Sequence, residues 1–266
     1  MSGNIQFEQQ GQVARVTTRH VGRFNAMSRA MWRELRSVFE RIQCSTDIRC
    51  VVISGENGHF CAGGDISEYV DFRFHEASLR NFHEQDVWGG LQAMLDCDVP
   101  IVAQIEGNCM GAGVEIASCC DIRLADVNAR FGAPIAKLGF PMAPRETALV
   151  SREVGLLTAR QMLLEAAIFN AADMKAAGFL SRLLPSGELA EAVQATALRI
   201  ATLAPQAARL NKQTIRGLIS PLTPVGKRQV AIDLIVDSAD KTYAYADSAE
   251  HREGIAAFLE KRAPAF

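Results

Sequence analysis

No run of about 18 apolar residues occurs anywhere in the chain, so the raw material for a membrane-crossing helix is missing. The first residues, Met1-Ser2-Gly3-Asn4-Ile5-Gln6, lack the basic patch and apolar core of a targeting segment. There is also no long stretch of Lys or Arg, and 28 basic residues are scattered among 30 acidic ones for a formal net charge of −2. A phosphate backbone would need a basic stripe to track, so neither nucleic acid nor a membrane is expected as partner.

The seven cysteines (44, 50, 61, 97, 109, 119, 120) are odd in number, contain no C-x-x-C pair and fall mostly within apolar runs, which points to a reducing cytoplasm. The five histidines show no short-spaced ligand pattern, so no metal site is expected. Low-complexity linkers and fixed-period repeats are missing too. What is present is an ordinary globular balance of 48% hydrophobic and 22% charged residues over 266 positions, enough for a substantial core.

Residues 12–18 (QVARVTT) alternate as a half-buried strand does, and Ser28 then precedes Met31, Trp32, Leu35, Val38, Phe39 and Ile42 at helical spacing. The alternation of element types recurs, with strands expected at 50–54, 100–105 and 121–125 and a mostly helical stretch at 77–95. The chain therefore reads as α/β. From 188 onward period-two patterning disappears, and two apolar stripes (Leu189, Val193, Ala197, Ile200; Ile255, Phe258, Leu259) need a surface to cover them. Ser248 is placed to cap the second.

Two segments run from a strand through small residues into a helix. In 58–66 (GHFCAGGDI) the small side chains would let a ligand approach backbone N–H groups, although a tight turn capped by Asp65 explains the same residues. In 105–115 (IEGNCMGAGVE) Glu115 sits in the first helical turn, where it could also simply complement the helix dipole.

Taken together, FCAGGDISE at 60–68, IEGNCMGAGVEIASCCDIRLA at 105–125 and FGAPIAKLGFP at 131–141 closely resemble the enoyl-CoA hydratase/isomerase (crotonase) family. The resemblance extends to RFNAM at 23–27 and EGIAAFLEKRAPAF at 253–266. It implies a crotonase-like spiral of ββα units in residues 1–190, followed by a helical oligomerisation region in 191–266 that builds a homotrimer or a dimer of trimers. It implies an acyl-CoA substrate, no cofactor beyond that CoA, and reversible hydration of a 2-enoyl-CoA as the leading reaction. Double-bond isomerisation, decarboxylation, thioester hydrolysis and CoA-ester binding with little catalysis are the alternatives.

Residue by residue, the resemblance places an oxyanion hole at the backbone amides of Ala62 and Ala112 and a catalytic carboxylate at Glu115. It places CoA contacts at Arg23, Ala62, Asp65 and Ile66, with Phe258 and Lys261 reaching the CoA of an adjacent subunit. The acyl end is expected against 70–95. One departure stands out: the position after Pro134, where hydratases of the family carry a second glutamate, is Ile135. The glycine-rich stretch that follows there is replaced by 140–146 (FPMAPRE), so either Glu115 performs both proton transfers, or another group such as Glu146 enters, or the reaction differs. Glu146 also reads simply as a first-turn helix acid after Pro144.

Overall fold

The computed structural model describes residues 3–218 and 244–266. A six-stranded sheet runs in the order β1 (Asn4–Gln10), β2 (Val13–Arg19), β3 (Cys50–Gly55), β4 (Ile101–Ile105), β6 (Ile122–Asp126), β9 (Arg182–Leu184). Only the β1–β2 hairpin is antiparallel; every later pairing is parallel. A smaller sheet joins β5 (Asn108–Met110), β7 (Arg130–Gly132) and β8 (Ile168–Asn170).

A parallel sheet must be covered on both faces, and its strands here sort their side chains accordingly. Val51 and Ile53 of β3 enter the main core with Ala14, Val16, Ile101 and Ala103, whereas Cys50 and Val52 point to the opposite face with Val13, Val102 and Leu124. The first face is covered by α1 (Arg29–Cys44) and, behind α2 (Glu76–Asn81), by α3 (Trp88–Asp96). Helix α1 starts where its sequence says it should: the Ser28 hydroxyl accepts the Met31 N–H, and Met31, Trp32, Leu35, Phe39 and Ile42 form the buried stripe.

The expected division at 190/191 falls within the element that covers the second face. Helix α8 (Leu189–Ala201) spans that boundary and lays Leu189, Val193, Ala197 and Ala201 on the sheet, because without it Cys50, Val52 and Val102 would lie open to water. Helix α9 (Pro205–Leu218) is tied to the same body by polar contacts: Lys212 pairs with Asp121 at 2.7 Å, and Arg216 and Gln213 both reach Asp98. The N-terminal part of the helical region is thus core. By contrast the C-terminal helix Ala249–Leu259, capped by Ser248 as expected, leaves Ile255, Phe258 and Leu259 exposed.

Six cysteines are buried and only Cys44 is exposed, all as free thiols. Burial pushes the Cys50, Cys61 and Cys120 thiols up to about 12, so they behave as small apolar core residues. No helix among the described residues is long and apolar enough to cross a membrane, and none of these residues form a cluster that could hold a metal ion.

Candidate active site

The two small-residue segments, almost fifty positions apart in sequence, meet side by side. The Cys61 N–H donates to the Asn108 carbonyl at 2.8 Å and the Met110 N–H returns to the Cys61 carbonyl at 2.9 Å, a short parallel bridge. Immediately beyond it both chains bend through backbone that favours glycine, with φ +114° at Gly63 and +46° at Gly111. That bend turns the next residue of each segment toward a cleft of about 340 Å³, lined among others by Ala62, Gly64, Ile66, Ala112 and Glu115.

The donors of this cradle differ from the expected pair at one position. The Ala62 N–H is already committed to the Phe24 carbonyl at 3.0 Å, so Ala62 lines the cleft without offering its amide. Two residues on, Gly64 carries an N–H with no protein acceptor among the described residues: around it Met27 N–H donates to Gly63 and Asp65 N–H to Met27. Ala112 opens α4 (Ala112–Ser118), and its amide, like others in a first helical turn, has no acceptor there. The free pair is therefore Gly64 and Ala112. A Cβ at Gly64 would meet the Tyr69 hydroxyl, so a larger residue there requires that ring to shift.

Glu115 stands one helical turn into α4, with some exposure only through the cleft and no side-chain partner among the described residues. Burial, reinforced by the negative charge of Glu146, pushes its carboxyl up to about 8. Such a group is mostly protonated at neutral pH and can both give and take a proton there.

Glu146 is more than a first-turn acid of α5 (Pro144–Val154). It is 2% exposed and meets Nδ1 of His83 at 3.2 Å. His83 belongs to a π-helical turn, Phe82–Val87, inserted ahead of α3; such turns re-aim side chains, and this one brings His83 to the cleft wall. A second pair, Arg145 with Glu84 at 3.1 Å, fastens the same two elements. Ile135 does line the cleft, leaving an apolar wall at that point.

Of the expected CoA contacts, Arg23 is exposed on the turn that precedes α1, and Ile66 lines the cleft. Asp65 accepts hydrogen bonds from the Ser67 hydroxyl at 2.6 Å and the Ser67 N–H at 3.1 Å; burial works against its charge, but these bonds hold the carboxyl below its usual range. Its carboxylate is thus used as a cap. Phe258 and Lys261 lie on the exposed surface of the C-terminal segment and line no part of this chain's cleft. Sequence reasoning passed over Gly64, Tyr69, Arg73, His83 and Phe140, all of which line the cleft. Only the placement of the acyl end against 70–95 hinted at two of them, Arg73 and His83.

Comparison with known proteins shows the family and the fold. The enoyl-CoA hydratase/isomerase family model matches residues 8–266. A probable enoyl-CoA hydratase of Mycobacterium tuberculosis is 29% identical over 262 residues, covering 98% of this chain and 97% of that protein. A short-chain-enoyl-CoA hydratase of Clostridium acetobutylicum is 30% identical over 262 residues, 97% of this chain and 95% of its own. The crystal structure of an enoyl-CoA hydratase/carnithine racemase from Magnetospirillum magneticum superposes with a TM-score of 0.89 at 34% identity, covering 98% and 94% of the two chains. With the bridged loops, the free amides and the carboxyl all in place, the chain belongs to the enoyl-CoA hydratase/isomerase family and has its crotonase fold.

Proposed function

We propose that the protein adds water reversibly across the double bond of a 2-enoyl-CoA. The observation that carries this reading is the convergence of two unsatisfied main-chain N–H groups, from Gly64 and Ala112, on a cleft that also holds the half-buried carboxyl of Glu115. The thioester oxygen gains negative charge as hydroxide adds at C3 and an enolate forms. Fixed donors stabilise that charge more than the neutral ground state.

Hydration moves two protons, and two groups line the cleft to move them. His83, steadied through Nδ1 by Glu146, takes a proton from water as its oxygen bonds to C3. Glu115, carrying its proton at neutral pH, delivers it to C2 as the enolate collapses. The water proton left on the His83–Glu146 pair then passes to solvent while Glu115 takes one back from solvent, which restores the resting state. This pair compensates for the apolar side chain at 135. Coenzyme A arrives as part of the substrate, and no further cofactor enters the scheme.

The exposed apolar face of Ile255, Phe258 and Leu259 supports assembly into a homotrimer or a dimer of trimers, in which Phe258 and Lys261 reach a neighbour's CoA. Light scattering giving a monomer would remove that part. The reaction itself is tested by following loss of the conjugated thioester absorbance with short and medium 2-enoyl-CoA esters. No turnover on any ester refutes hydration, and a product with a shifted double bond in place of added water assigns isomerisation instead.

A further inference from the structure

Arg73 stands in the wall shared by the catalytic cleft and an adjoining cavity of about 500 Å³ lined by Val70, Phe74, Leu79 and Leu138. Its guanidinium lies over the Phe140 ring, 3.6 Å from the centroid, and 4.5 Å from that of Tyr69. Such stacking suits a planar delocalised cation and orients it, but it supplies no acceptor for the N–H donors. Among the described residues no carbonyl, hydroxyl or carboxylate takes a side-chain hydrogen bond from Arg73, and Nη1 is sealed from solvent with no acceptor at all. Burial accordingly pulls the guanidinium below its usual range, opposed only by the Tyr69 hydroxyl.

A cation held half-buried in an aromatic wall, with no protein acceptor for its donors, is costly unless an anion meets it there. Other arginines of the fold are treated differently: Arg29 and Arg33 share Asp86, and Arg123 meets Glu153. Arg73, half-buried without such a partner, faces the chamber where the acyl group must lie.

We propose that Arg73 is the recognition site for a carboxylate carried on the acyl chain, so that the preferred substrates are CoA esters of unsaturated dicarboxylic acids. The guanidinium edge left open to the cavities donates to that carboxylate while Phe140 and Tyr69 hold its plane. A phosphate of the CoA moiety is the other anion available, but the stacked rings leave a planar edge that matches a planar carboxylate, and the cavity shared with Glu115 places Arg73 beside the reacting end. This assignment rests on the acyl-CoA reading above.

The test compares two trans-2-enoyl-CoA esters of matched length, one ending in methyl and one in carboxylate. Wild-type protein is expected to favour the carboxylate ester, and Arg73→Met to lower the ratio of kcat/KM for carboxylate over methyl by about 10- to 100-fold, chiefly through KM. Arg73→Lys, which keeps the charge without the planar edge, should fall between the two and serves if the Met variant does not fold. A wild-type preference for the methyl ester overturns the proposal, as does an unchanged ratio. Equal losses on both esters assign Arg73 to the CoA phosphate or to the fold and also overturn it. Calorimetric binding of the same two esters to Glu115→Gln protein reads the preference without turnover. If hydration is the wrong reaction the carboxylate preference persists there, and if Arg73 is misassigned it vanishes while hydration stands.

Discussion

Replacing Glu115 by Gln removes an ionisable group from a site that resists its charge, and the consequence for stability can be worked out. The carboxyl titrates at about 8 in the folded protein against an ordinary 4.5. The difference of about 3.5 units corresponds to roughly 5 kcal/mol at about 1.36 kcal/mol per unit. The sign follows from proton counting: between these two values the folded form binds more protons than the unfolded chain. Stability due to this group is therefore whole below about pH 4.5 and is lost as pH rises to about 8.

Glutamine cannot ionise, so the variant should match the wild type to within about 1 kcal/mol near pH 5 and exceed it near pH 9. Water reaching the carboxyl through the cleft screens part of the full value, leaving about 3 kcal/mol as the working figure. For a chain of this length that corresponds to a melting temperature about 6 °C higher. Thermal unfolding of both proteins, followed by circular dichroism from pH 5 to pH 9, measures the gap. Two melting curves that stay parallel across the range would refute the claim that Glu115 is held neutral by its surroundings.

Four further outcomes are expected. Ala112→Pro removes one amide at a helix position where proline is tolerated, and should cost about 10²- to 10³-fold in kcat with little change in melting temperature; steady-state assays with an intact fold check it. Glu146→Gln takes away the like charge near Glu115, so the pH at which Glu115 titrates should fall, visible as a downward displacement of the basic limb of the rate profile. His83→Ala should slow turnover by about 10²-fold or more while CoA-ester binding persists, and an undiminished rate would return both proton transfers to Glu115. Leu189→Ala should destabilise the protein by about 2–5 kcal/mol in chemical denaturation, as a helix packed on the sheet requires and a detachable appendage does not.

Much of the scaffold was legible because its signals are local. Ser28, Asp65 and Ser248 all cap helical turns as their positions suggested, and the runs at 50–54 and 100–105 became strands. The three-residue strands of the small sheet carry too few side chains to show a period, and they went unseen. The boundary placed at 190 falls inside a helix that packs on the sheet, because an apolar helical stripe records that a surface is needed without saying whose. At the site, the motif pointed to the loop but not to which of its amides is free, since that depends on the carbonyl of Phe24, some forty residues away, occupying Ala62. His83 and Arg73 were invisible for a similar reason. A π turn and a pair of rings set their direction, and neither leaves a mark in residue spacing.

The bridge between Cys61 and Met110 bears on how ligands are received. Because each loop is hydrogen-bonded to the other through its main chain, the separation of the two amides is set by the fold itself. Binding at this end then costs little ordering of the chain, and amide exchange at 61 and 110 should be as slow in the free protein as in any complex.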